Sequence, residues 1–240
     1  TVSEGGEVEM ESDESQNTVV VHLGGVTAGT GGGTPVLPIE TGDTPAEADI
    51  GTLGGVRRGV TPLTAALVEN GHEVRFYGGP RGGERLPSLL SDADAFVTTS
   101  PGSLSGADAD AVESFVDAGG RTLVTSDPGD AGVLTDFASP FGVYGEAGYV
   151  YDMENNDASY LSVLVRPTES TDLTDGVERI VLRGAMSVGT ADGTTTLTSA
   201  ETSQLSTTRE PGSYPVAVRS GSLAVIGDSS FLAPENAGRA

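Results

Sequence analysis

The chain contains no cysteine and no lysine, and it has only two histidines. Without cysteine there is no disulfide, no thiolate nucleophile and no cysteine-ligated metal. Without lysine, all 12 basic residues are arginine, set against 35 acidic residues for a net charge of -23. Acid excess with arginine as the sole counter-charge is the composition expected of a protein that works in molar salt. There the Debye length falls to about 3 Å, and an acidic surface hardly repels itself. In dilute buffer the same surface repels itself and loosens the fold. Charge of this sign also argues against nucleic acid and anionic lipid surfaces as partners. Long hydrophobic runs are missing as well: none approaches the roughly 18 apolar residues of a membrane span. A chain that begins at Thr1 rather than methionine is expected to have a leader or anchor upstream. The absence of a clear helix before Ala240 leads to the matching expectation of further chain beyond it.

What is present suits one large domain: 240 residues, 36% hydrophobic, enough for a real core. Residues 1–17 are acidic and aperiodic and read as a flexible tail. Residues 18–240 read as a single α/β domain. The β-branched run Thr18 to Leu23, ending in Gly24 and Gly25, predicts a buried parallel strand. A Gly/Pro/Thr-rich stretch over residues 26–55 reads as a long loop, functional or mobile. After it, Thr61 is expected to cap a helix with Pro62 at its first position, and Gly71 to end it. His72 to Tyr77 then alternates as a strand. The pattern repeats through a short helix from Leu86, a strand within 92–102, a helix with Val112, Phe115 and Val116 on one face, and a strand from Arg121. Strands alternating with helices predict a flavodoxin-like doubly wound parallel sheet of order 2-1-3-4-5. From about residue 143 to 220 the pieces are short and alternating, which predicts a β-rich insertion. The last strand, within Ser222 to Leu232, is expected at an edge of the main sheet.

In open α/β sheets, ligands bind outside the carboxyl ends of the strands. Those ends would gather His22, Gly24, Gly25, Ser100, Asp127, Asp228 and Ser229. A hydrolase needs a nucleophile, a base and a group that orients the base. His72 stands at the wrong end of its strand, so a triad would have to use His22, and no G-x-S-x-G elbow is present. The plainer reading of His22 is a strand histidine bonded to a neighbour. The glycines of 28–33 lack the G-K-[ST] ending of a phosphate loop and read as loop. Asp127, Asp130 and Asp228 have oxygen ligands to offer a divalent cation, but without calcium-loop spacing they read as caps of the following turns. The segment Asp152 to Tyr160 reads as an ordered polar turn, with a metal or sugar site as the lesser reading. No metal and no cofactor is expected.

The phrases LTAALVENGHEVRFYGG, DADAFVTTSPG, ESFVDAGGRTLVTSDPGD and YPVAVRSGSLAVIGDSSFLAPENAG, with the G-D-S-x-F of Gly227 to Phe231 the most specific, resemble the domain of unknown function 4350. That family belongs with the class I glutamine amidotransferase-like fold, beside the auxiliary gliding-motility-type domains of ABC transport systems and the intraflagellar-transport-52-type domain. This chain resembles a haloarchaeal-type member. The resemblance implies a flavodoxin-like sheet in an envelope protein held by hydrophobic segments outside this chain. Active amidotransferases carry a cysteine after the third strand and a later histidine. Here Ser100 to Gly102 and Ser126 to Pro128 offer no cysteine, and no histidine follows His72. The function expected is therefore a non-catalytic binding or scaffolding ectodomain at a halophile's cell surface, with a protein or small-ligand partner. The alternative is a small-ligand binder, with carbohydrate as one candidate ligand, or a cryptic hydrolase in the strand-end pocket.

Overall fold

Runs of valine and threonine, stiff at χ1, favour extended chain and pack on a pleated surface. They build most of the strands here. The computed structural model describes residues 16–22, 24, 60–80, 83–171 and 174–232. Gly25, nearly all of the acidic tail and the glycine-rich 26–55 stretch lie outside them.

The strands are β1 (Thr18–His22), β2 (Glu73–Tyr77), β3 (Ala95–Thr98), β4 (Arg121–Thr125), β5 (Val143–Gly145), β6 (Val150–Tyr151), β7 (Ser162–Pro167), β8 (Ile180–Arg183), β9 (Val188–Thr190), β10 (Thr194–Ser199), β11 (Gln204–Leu205), β12 (Pro215–Ser220) and β13 (Leu223–Ile226). The helices are α1 (Thr61–Glu69), α2 (Leu86–Leu90), α3 (Gly106–Asp117) and α4 (Ala131–Ala138). Nine strands form one mixed sheet in the order β2-β1-β3-β4-β13-β12-β10-β7-β8. Pairing is parallel from β2 to β13 and antiparallel from β13 to β8. Two small ribbons, β11-β6 and β5-β9, complete the described strands.

This corrects the expected fold class. The molecule is not a five-stranded flavodoxin-like sheet carrying a β-rich insertion. Four of the strands from the 143–220 region, β12, β10, β7 and β8, extend the main sheet itself. The last strand is no edge: β13 lies inside, between parallel β4 and antiparallel β12. Sequence alternation shows that a segment is a half-buried strand, but not which sheet it joins. The hairpin partner β12, turned at Gly221 with φ +56°, occupies the side of β13 that a flavodoxin-like sheet would leave open.

Side chains alternate across the sheet and divide the core. On one face Val20, Phe96, Val124 and Val225 pack against Leu86 and Leu89 of α2, Val112 of α3 and Leu134 of α4. On the other, Val19, Val21 and Val97 meet Leu63 and Leu67 of α1. The antiparallel half has its own cluster, in which Val163, Leu182, Leu197 and Val216 are covered by Val150 and Leu205 of the β6-β11 ribbon. α1 starts one residue earlier than its sequence suggests: Val60 is the N-cap, with no side-chain cap, and Pro62 follows Thr61 inside the first turn. α3 has the stronger start, a reciprocal capping box between Ser105 and Asp108.

Candidate functional site at the carboxyl ends of the parallel strands

His22 ends β1 on the face that carries Val20. It is fully buried, with its ring 5.6 Å from that of Tyr77. Its Nδ1 lies 2.8 Å from Thr98 Oγ1, and its Nε2 lies 3.4 Å from Ser103 Oγ. Two further bonds fix the direction of these contacts. Ser103 Oγ donates to the Ser100 carbonyl at 2.8 Å, and the Ser100 amide donates to Thr98 Oγ1 at 3.3 Å. With the Ser103 proton directed at that carbonyl, the arrangement favours Nε2–H as the donor toward Ser103. Thr98 then donates to Nδ1. Burial pushes the imidazole pKa down to about 4, against a smaller upward pull from Asp108. The ring is neutral at pH 7, and among the described residues no carboxylate bonds to it.

The acid nearest in role, Asp108, is engaged elsewhere. It accepts from the Tyr77 hydroxyl at 3.0 Å and from Ser105 Oγ at 2.6 Å. Burial, and then the bond to Asp108, raise the Tyr77 pKa to about 12. Ser103, Ser105 and Asp108 were not singled out from sequence. The S-x-x-D capping spacing of Ser105 and Asp108 was the available signal, and it reports a helix start rather than a site. Gly24 sits at φ +70°, and a Cβ there would lie 2.9 Å from Ser100 Oγ. Glycine is thus needed for both backbone conformation and space.

Asp127, Asp228 and Ser229 form a second cluster. β1 and β13 are three strand steps apart, roughly 14 Å at the usual spacing, which sets Asp228 and Ser229 apart from His22, while Asp127 follows β4, the neighbour of the β3 strand that leads to Ser100. Ser229 donates to Asp127 through its amide at 2.9 Å and through its hydroxyl at 2.9 Å. Asp228 accepts from the Arg183 amide at 2.7 Å, the Ser230 amide at 2.8 Å and Ser230 Oγ at 2.7 Å. It ties edge strand β8 to the loop after β13. Burial raises its pKa to about 6, with the Ser230 and Arg183 donors pulling down and Asp127 adding a small upward push. On β4, which leads to Asp127, the hydroxyls of Thr122 and Thr125, and of Ser126 just after it, are buried without a hydrogen-bond partner among the described residues.

The G-D-S-x-F phrase is therefore a clasp. A Cβ on Gly227 would stand 2.1 Å from the Met186 carbonyl oxygen, Asp228 and Ser229 bind as above, and Phe231 packs against the antiparallel cluster. The 152–160 turn is equally well occupied. Asp152, fully buried, accepts from the Glu154 and Asn155 amides at 2.8 and 2.7 Å and from Thr202 and Ser203 hydroxyls at 2.7 and 2.9 Å. Burial alone would raise its pKa, but these bonds outweigh it and hold the carboxyl below its ordinary value. Among the described residues no group of three or more His, Asp or Glu side chains is placed to hold a metal, and no helix is long and apolar enough to cross a membrane.

No family model matches the chain, and no curated protein matches it. Among solved structures the fold is similar to the mmIFT52 N-terminal domain, at 11% identity and TM-score 0.60, over 91% of this chain and 89% of that one. A putative ThuA-like protein from Bacteroides uniformis aligns at 10% identity and TM-score 0.48, over 90% of this chain and 83% of that one. Alpha-L-fucosidase isoenzyme 2 from Paenibacillus thiaminolyticus aligns at 16% identity and TM-score 0.43, over 70% of this chain and 24% of that one. The first of these likenesses concerns fold alone, and the other two carry no further argument.

Proposed function

We propose that this chain is a non-catalytic binding or scaffolding domain of an envelope protein in an extreme halophile, of the domain-of-unknown-function-4350 type, anchored by segments outside it. The observation that carries the non-catalytic reading is the hydrogen-bond state of His22. A general base for Ser103 needs a free Nε2 lone pair and a carboxylate on Nδ1. Among the described residues His22 has a threonine hydroxyl rather than a carboxylate at Nδ1, Ser103 Oγ directs its own bond to the Ser100 carbonyl, and burial pushes the imidazole pKa down to about 4. Asp127 and Asp228 accept from serine and backbone donors within the fold, which weighs against the strand-end alternative, a ligand pocket or cryptic hydrolase built on those carboxylates. The charge of -23 with no lysine supports the halophilic setting.

The test is a panel of chromogenic ester, amide and glycoside substrates in molar KCl, run on the wild type and Ser103→Ala. No turnover above buffer is expected from either. Turnover by the wild type that disappears in Ser103→Ala overturns the reading.

A further inference from the structure

The chain has no tryptophan and six tyrosines, yet three of those tyrosines meet at one place on the surface. Tyr149 and Tyr151 have ring centroids 6.1 Å apart, tilted by 58°. Tyr151 and Tyr160 are 6.3 Å apart, edge to face at 90°. Tyr149 is 38% exposed, Tyr160 47% and the nearby Met153 68%. Exposed aromatic faces clustered in this way mark contact sites.

The mounting is rigid. Asp152 follows Tyr151 directly and, with its four donors, nails the turn to residues 202 and 203. The Tyr151 hydroxyl donates to Gln204 Oε1 at 2.7 Å, which fixes the Gln204 amide and leaves its N–H donors without a partner among the described residues. Asn155 Nδ2 donates to Thr202 at 2.7 Å, leaving its Oδ1 to accept. A platform already ordered loses little entropy on binding.

We infer that Tyr149, Tyr151 and Tyr160 form a platform that binds a neutral saccharide, with the Gln204 and Asn155 amides bonding its hydroxyls. This rests on the binding-domain reading and names the class of ligand. Ring faces stack on the C–H faces of a pyranose, and fixed amides select hydroxyls. The adjoining Glu154 and Asp157 disfavour an anionic ligand. In molar salt, attraction to a cation is screened beyond about 3 Å, whereas stacking and hydrogen bonds at contact persist. A stable protein partner needs about 800 Å² from each side around an apolar centre, far more than three rings and a methionine provide.

The probes are laminarin, dextran and a neutral mannan, titrated calorimetrically in molar KCl, with insoluble cellulose and chitin tested by co-sedimentation. At least one is expected to bind the wild type. Tyr149→Ala and Tyr160→Ala should each weaken it at least about tenfold, Tyr160→Phe should keep most of the affinity, and circular dichroism should show all variants folded. Binding to none of the five, or binding indifferent to both alanine variants, overturns the inference. If no glycan binds while Tyr149→Ala and Tyr160→Ala release a protein partner, the saccharide falls and the binding-domain reading stands. Glycan turnover abolished by Ser103→Ala overturns the binding-domain reading instead.

Discussion

His22 and Asp228 are buried titrating groups whose pKa values move in opposite senses. The folded protein holds His22 at about 4 against an ordinary 6.5. Its contribution to stability is therefore complete above pH 6.5 and is lost as pH falls toward 4. Asp228 is held at about 6 against an ordinary 3.8. Its contribution is complete below pH 3.8 and is lost as pH rises through 6. Each amounts to about 3 kcal/mol over its window, so between pH 7 and 4 the two largely cancel. His22→Gln should remove one side: its stability relative to wild type should rise on acidification across that window. Asp228→Asn should remove the other, and its relative stability should fall. Denaturant melts at several pH values in molar KCl measure both slopes, and two slopes of the same sign would refute the account. Residues also explain why the site was only partly legible in sequence. The strand-end position of His22 could be read from the β-branched run before it. Its partners Thr98 and Ser103 lie 76 and 81 residues away, and no local pattern encodes such a pairing.

At the scale of elements, the loop before β9 lies directly on the end of β13. The Met186 amide bonds to the Gly227 carbonyl, and the Gly227 amide to that of Val216. A methyl group at 227 would collide with the Met186 backbone, which has no flexible end to yield. Gly227→Ala should cost about 3 kcal/mol or more, at the upper end of overpacking, and Gly129→Ala, in open space, should cost little. Thermal melts of the pair check this, and equal midpoints would refute it. Element types were well marked in the sequence. The helix from 106 to 117 followed from its apolar face of Val112 and Val116, and β4 from the glycines before Arg121. Element partnership was not. The strands after 143 carry the same alternation whether they form a separate insertion or continue the sheet. What decides between these is the β12–β13 hairpin at Gly221, which delivers β12 to the flank of β13 where the sheet was expected to end.

At the scale of the molecule, charge governs. With a net -23 and arginine as the only counter-charge, carboxylates interact across roughly 30 Å at 0.01 M salt and across roughly 3 Å at 1 M. Each exposed repulsion costs under about 1 kcal/mol, yet their sum rivals a net stability of about 5–15 kcal/mol. The melting point should climb steadily from dilute buffer to molar NaCl, and a flat or falling profile in circular dichroism would remove the halophilic reading. The internal position of β13 has a consequence for synthesis. Its partner β4 is complete at Thr125, but Leu223, which pairs with Thr122, lies 101 residues beyond that threonine. As the nascent chain leaves the ribosome, the long flank of β4 stays open, a row of unpaired amides and carbonyls ready to capture a neighbouring strand. The antiparallel strands made in the interval belong on the far side of β13, so none of them closes this gap. A cell making this protein must keep crowded half-made chains apart until β13 arrives.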